Sequence, residues 1–267
     1  MTPSSFTLRH GSVPLLISMP HVGTAIPEDQ RERYDPRALQ TEDTDWHLER
    51  LYGGLAADLG ASLIVPHWSR FLIDLNRPPE DTPMYPGASN TELCPTRFFT
   101  GEPLYRPGQA PDAAEKLRRR ETYWRPYHEA LQAELDRLKA QHGYVLLFDA
   151  HSIKSELPWL FEGELPALNL GTADGRSCDP AITAALGALL AAQADYTQVV
   201  NGRFKGGYIT RHYGRPELNQ HAVQLEMCWR CYMHEHAPYD YHEPEALRVQ
   251  PLLRHLLTTL LAWKPAP

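Results

Sequence analysis

The stretch PLLISMPHVGT, Pro14–Thr24, decides how the chain is read. An apolar run climbs from Leu15 to Met19, turns at Pro20 and presents His21. Short apolar runs bounded by turn residues read as buried strands, and in α/β proteins ligands and catalytic groups gather at the carboxyl ends of strands. Two further runs end in the same way: YVLLFDAHS, carrying Asp149 and His151, and AVQLEM, carrying Glu226. Histidines and carboxylates at strand ends are the raw material of a metal-dependent hydrolase.

Beyond His21 the chain is polar as far as Leu39. TEDTD at Thr41–Asp45 offers helix caps ahead of WHLERLYGGLAADLG, where Leu48, Leu51, Leu55 and Leu59 recur at helical spacing. Gly60 closes that helix, and ASLIVPHW is the next strand. SRFLIDLNR, Ser69–Arg77, reads as a further strand stopped by two prolines. Residues 78–111 have no period, and Tyr85, Phe98, Phe99 and Tyr105 are scattered among Pro, Gly and Thr, which is the pattern of a lid or binding loop.

Asp112 and Glu115 cap a long amphipathic helix through Leu117, Trp124, Tyr127, Leu131, Leu135 and Leu138, ending at Gly143. Tyr144–Phe148 fits a central parallel strand covered on both faces. ALNLGT is a short strand, Asp179-Pro180 opens a helix to about Gln193, and a last helix covers 244–263. No repeat or linker divides the chain. The expected fold is α/β, a single three-layer domain over residues 1–267 with a mixed, mostly parallel central sheet.

A formal net charge of −7 argues against a nucleic-acid surface, which needs a basic face. No apolar run approaches the roughly 18 residues of a membrane span. Without a signal-peptide layout at MTPSSFTLRH, and with four cysteines only, the expected setting is the cytoplasm. Cys228 and Cys231 form a C-x-x-C pair that in other settings marks a redox or zinc module. Here Cys94 and Cys178 stand alone, so no second pair completes a zinc site, and buried thiols are the better reading.

A zinc site takes about three protein ligands and keeps a fourth position open. His21 and His151 are two candidates, and Asp149 is placed to hold the second ring nitrogen of His151. Asp45 is returned toward His21 by the helix that follows it, with Glu42 and Asp43 as competitors and helix capping as the alternative use. Glu226 sits in an otherwise apolar strand, where an unpaired carboxylate is costly, so it has either an arginine partner or a role as general base. Arg70, Asn76 and Arg77 lie on one segment. Arg203 and Arg211 flank a glycine-rich turn, and guanidinium forks suit carboxylates.

These residues carry a resemblance. PHVGT at 20–24, DTDWH at 43–47, SRFLIDLNRPP at 69–79, FDAHS at 148–152, NGRFKGGYITRHYG at 201–214 and HAVQLEM at 221–227 together resemble the N-formylglutamate deformylase (amidohydrolase) family. The order is similar, more distantly, to that of zinc carboxypeptidases. Those enzymes carry a glutamate three residues after the first histidine, where this chain has Thr24, so the resemblance assigns the carboxylate ligand to Asp45.

The resemblance implies a zinc-carboxypeptidase-like fold and hydrolysis of N-formyl-L-glutamate to formate and L-glutamate in histidine degradation. It also implies one divalent metal, zinc, on His21, Asp45 and His151, with metal-bound water activated by Glu226 and the oxyanion stabilised by Arg70. A small dicarboxylate substrate then uses Asn76 and Arg77 for one carboxylate and Arg203 and Arg211 for the other. An amidohydrolase for another N-acyl amino acid would share the metal site and differ in the 80–110 and 155–178 loops.

Overall fold

Nine consecutive buried residues, Val145–Ile153, run through the middle of the sheet, as a strand covered on both faces must. The computed structural model describes residues 5–83 and 91–265. Its first half runs β1 (Phe6–Arg9), β2 (Leu15–Ser18), α1 (Glu28–Arg31), α2 (Leu48–Leu59), β3 (Ser62–Pro66), α3 (Ala113–Arg119) and α4 (Arg125–His142). Then follow β4 (Val145–Ile153), β5 (Leu168–Gly171), α5 (Pro180–Ala192), β6 (Gln198–Val200), α6 (Tyr208–Tyr213), β7 (Gln220–Cys228) and α7 (Glu243–Ala262).

The strand order is β1-β3-β2-β4-β7-β5-β6. Strands β3, β2, β4 and β7 are parallel, β1 and β5 run antiparallel to β3 and β7, and β6 is parallel to β5. Side chains alternate across a strand, so each central strand feeds two cores. Leu15, Ile17, Leu146, Phe148 and Leu225 share one core with Leu51, Leu186 and Leu253 of α2, α5 and α7. Leu16, Val145, Leu147 and Ala222 share the other with Leu131 and Leu135 of α4 and Ile209 of α6. The result is the expected three-layer α/β domain around a mixed sheet.

Ser69–Arg77, expected as a strand, is instead a run of turns. Leu72 and Ile73 N–H groups return to Ser69 O (2.9 and 3.4 Å), and Arg77 N–H returns to Asp74 O (3.3 Å). No neighbouring strand supplies a ladder here, and the apolar residues divide between two cores, Phe71 in one and Leu72, Ile73 and Leu75 in another. The long helix also differs from expectation. Asp112 caps it by accepting from Glu115 N–H, but Arg120–Trp124 is a π turn separating α3 from α4.

Of the 78–111 stretch, residues 84–90, with Tyr85, lie outside the described residues. The described part holds isolated bridges rather than strands or helices. Phe98, Leu104 and Tyr105 pack with Tyr34, Ala38 and Phe71 in a satellite core.

The fully buried Arg119 ties this core to α3. Its guanidinium donates to Leu72 O (2.9 Å), Tyr105 Oη (2.9 Å), Gln30 Oε1 (3.0 Å) and Glu115 Oε1 (2.7 Å). Arg119→Met strands these acceptors without donors, and urea unfolding is expected to show a loss of about 3 kcal/mol.

Candidate metal centre

His21 stands just past the end of β2, and His151 lies near the carboxyl end of the parallel neighbour β4. Asp45 precedes α2, and its N–H donates to His21 O (3.0 Å), which pins the two segments together. The helix does not use the Asp45 carboxylate as a cap, because its N-cap position is His47, a residue in the left-handed region (φ 61°). One ligand atom from each of His21, Asp45 and His151 lies within 4.8 Å of the others, and all three residues are buried. Among the described residues they form the one such group.

The outward side of each imidazole is held by a buried carboxylate. His21 Nε2 meets Asp74 Oδ1 at 2.6 Å, and His151 Nε2 meets Asp149 Oδ2 at 2.9 Å. These bonds place a proton on each Nε2 and turn both Nδ1 lone pairs inward. Asp45 Oδ2 lies 3.2 Å from Nδ1 of His151 and 3.8 Å from Nδ1 of His21. Ligand atoms around a tetrahedral zinc, each about 2.0–2.1 Å from it, stand roughly 3.4 Å apart. The donor set therefore fits a single divalent cation.

Charge balance points the same way. Asp45, Asp74, Asp149 and Glu226 are four buried carboxylates around the site, against the buried guanidinium of Arg70. Arg70 donates to Asp74 Oδ2 (2.8 Å) and more loosely to Asp45 Oδ1 (3.4 Å). Burial alone would depress His151, but the Asp149 carboxylate against its ring outweighs that and pushes its pKa well up. Burial, seconded by Arg70, pulls His21 down. The excess of buried carboxylates over buried guanidinium is a shortage of positive charge that a bound cation would relieve.

Strand pairing sets the general-base candidate beside this group. In the β4–β7 ladder His151 is opposite Glu226 and Asp149 is opposite Gln224, so all four side chains share one face. Burial pushes the Glu226 carboxyl up to about 8; His151 opposes the shift and Asp45 adds to it. Gln224 Oε1 accepts from Gly207 N–H (2.7 Å), which fixes the amide so that Nε2 donates to Glu226 Oε2 (3.3 Å). Glycine at 207 is required by contact: a Cβ there would lie 2.2 Å from Asn76 Nδ2.

The pocket over these groups is lined by Arg70, Asn76, Arg77, Arg203, Thr91, Phe99, Ser152, Leu160 and Phe204 as well as His21, His151 and Glu226. Arg77 is largely committed to its own segment, donating to Thr91 O (3.0 Å), Thr91 Oγ1 (2.6 Å) and Asn76 O (3.0 Å). Arg203 donates to Leu160 O (3.1 Å). Arg211, expected with them, is not among the lining residues. Its Nε donates to Gly206 O (2.8 Å), and it lines a separate hollow with Ala173, Arg176 and Ser177.

The competitors for the carboxylate position are used elsewhere. Glu42 pairs with Arg37, and Asp43 Oδ2 accepts from Phe99 N–H (2.8 Å). Cys228 and Cys231 are buried beside the carbonyls of residues 165–167, and burial raises both thiols, Cys231 to about 12. Neither is a thiolate ready for metal or redox chemistry. Two residues escaped the sequence reading. Asp74 carried the same signal as Glu226, a carboxylate inside an apolar run, whereas nothing in the sequence marks Gln224.

Comparison with known proteins identifies the family. Residues 13–233 match the family model of N-formylglutamate amidohydrolase. The chain is 51% identical to the N-formylglutamate deformylase of Pseudomonas aeruginosa and 50% identical to that of Pseudomonas putida, over 96% of both chains in each case. A crystal structure of N-formylglutamate amidohydrolase from Ralstonia eutropha JMP134 superposes with a TM-score of 0.80 at 26% identity, covering 96% of each chain.

Asp74 holds a ring rather than a metal, so its replacement is diagnostic. Asp74→Asn is expected to weaken zinc binding by roughly 10- to 100-fold, read by competition with a chromophoric chelator.

Proposed function

The chain belongs to the N-formylglutamate amidohydrolase family and is a hydrolase of a linear amide C–N bond, and we propose that it converts N-formyl-L-glutamate to L-glutamate and formate in histidine degradation, in the cytoplasm. The observation that carries this reading is the convergence of two carboxylate-held imidazoles and Asp45 beside Glu226, under a pocket lined by arginines. All four cysteines are free, in keeping with a reducing compartment. No helix among the described residues is long and apolar enough to cross a membrane.

His21, Asp45 and His151 would hold the metal, zinc by the chemistry of two imidazoles and one carboxylate. When bound, it would supply Lewis acidity toward the formyl oxygen and lower the pKa of water. Glu226 accepts a proton from the attacking water and passes it to the amide nitrogen as the C–N bond breaks. Gln224 holds the Oε2 side of that carboxylate, which leaves Oε1 for the transfer. Arg70, fixed by Asp45 and Asp74, directs its remaining N–H groups at the developing oxyanion, a contribution of about 3–4 kcal/mol in comparable sites.

Asn76 and Arg77 bind one substrate carboxylate. Arg203, which lines the pocket, is the candidate for the other, ahead of Arg211, which lines a separate hollow. A hydrolase for a bulkier N-acyl group would use the same metal site. Substrate comparison separates the two readings: formate release from N-formylglutamate is expected to exceed turnover of N-formylaspartate and N-acetylglutamate, and to stop with chelator. Preference for N-acetylglutamate would overturn the assignment.

Glu226→Gln is expected to keep zinc while turnover falls by roughly 10²- to 10⁴-fold; near-normal formate release would remove Glu226 from its role. The base must be ionised, and a bound cation lowers its pKa below the value of about 8 set by burial in the free site. The expected kcat/KM therefore falls about tenfold per pH unit on the acidic side of that lowered pKa, and Glu226→Gln abolishes that limb.

A further inference from the structure

We infer that Trp124 and His128, on the far side of the Leu75–Arg77 turn from the substrate, are positioning residues that hold this turn and so set the carboxylate-binding side of the pocket. This deepens the proposed function and rests on it only for the choice of substrate.

A turn has no ladder to satisfy its carbonyls, so donors must come from elsewhere. Leu75 O accepts from His128 Nε2 (2.9 Å), and Arg77 O accepts from Trp124 Nε1 (3.0 Å). Between them, Asn76 O accepts from Tyr208 N–H (3.4 Å) and from the Arg77 side chain (3.0 Å). Three successive carbonyls are thus gripped, one by the last residue of the π turn and one by the first turn of α4. The residue they enclose serves the site directly. Asn76 lines the pocket, its N–H donates to Asp74 Oδ1 (2.8 Å), and its Oδ1 accepts from Ile209 N–H (2.8 Å).

The two donors are themselves fixed. Their rings stack, with centroids 3.8 Å apart and planes 25° apart. A carbonyl only accepts, so His128 carries its proton on Nε2, and its Nδ1 accepts from Tyr213 Oη (2.9 Å). His128 also stacks on Tyr213 at an interplanar angle of 7°. Trp124 is the last residue of the π turn, a deviation that recurs at functional sites inside helices. The turn in the helix is local to the residue that reaches Arg77.

The test compares Trp124→Phe, which removes the N–H and keeps a ring to stack, with Leu135→Ala, which loosens the core that Leu75 shares but leaves both hydrogen bonds to residues 75 and 77 in place. With zinc saturating, Trp124→Phe is expected to raise KM for N-formylglutamate roughly tenfold while kcat stays within about twofold. Calorimetric affinity for L-glutamate, which needs no turnover, is expected to fall by the same factor. Leu135→Ala is expected to lower stability and leave KM and Kd unchanged.

Unchanged KM and Kd in Trp124→Phe would overturn the inference, as would an equal rise in Leu135→Ala. If the wild-type protein releases no formate, the proposed reaction fails. Weakened L-glutamate binding in Trp124→Phe would still uphold the positioning role in that case. A wild-type protein that binds no L-glutamate overturns both.

Discussion

Asp74 and Asp149 each take the Nε2 side of one buried imidazole, and much of the pocket follows from what those two bonds leave over. An imidazole in a dry interior is free to rotate or to donate from either nitrogen unless a neighbour fixes it. With both outward nitrogens engaged, two lone pairs face one point, and Asp45 completes the set. Arg70 is in turn held by Asp45 and Asp74, so its guanidinium and the ring-holding carboxylate are parts of one network. Loss of any member leaves a charge buried without its partner, which is costly in a way that loss of a surface pair is not.

The second constraint is register. Glu226 has no arginine partner in hydrogen-bonding reach among the described contacts. It is placed by the ladder that sets it opposite His151. A one-residue slip of β7 would turn Glu226 into the opposite core, where Phe148, Leu225 and Met227 now pack, away from His151. The apolar neighbours that make the strand buried are therefore what aim the Glu226 carboxyl and raise its pKa.

Much of this was legible in the sequence because burial and function leave the same mark. Short apolar runs ending in His21, His151 and Glu226 gave the central strands and the polar ends together, and Asp112, Gly143 and Asp179 marked helix boundaries that the structure keeps. The sequence was least legible in segments whose partners are remote. Ser69–Arg77 has the composition of a strand but no ladder partner among the described residues, and the carbonyls of residues 75–77 are satisfied by Trp124, His128 and the Tyr208 N–H. Arg211 is near Arg203 in sequence, yet the short helix between Gly207 and Gly214 carries it to a different hollow. Gln224 shows its use only through Gly207, on another segment.

The strand order has a consequence for how the molecule is assembled. β7 is the last strand of the sheet to be made, yet it lies between β4 and β5. Until it inserts, the sheet is two fragments, one ending at β4 and the other the β5–β6 pair, each with an open edge. Glu226 arrives on the same strand that joins them. A nascent chain can thus gather His21, Asp45 and His151 before the strand that carries Glu226 closes the seam.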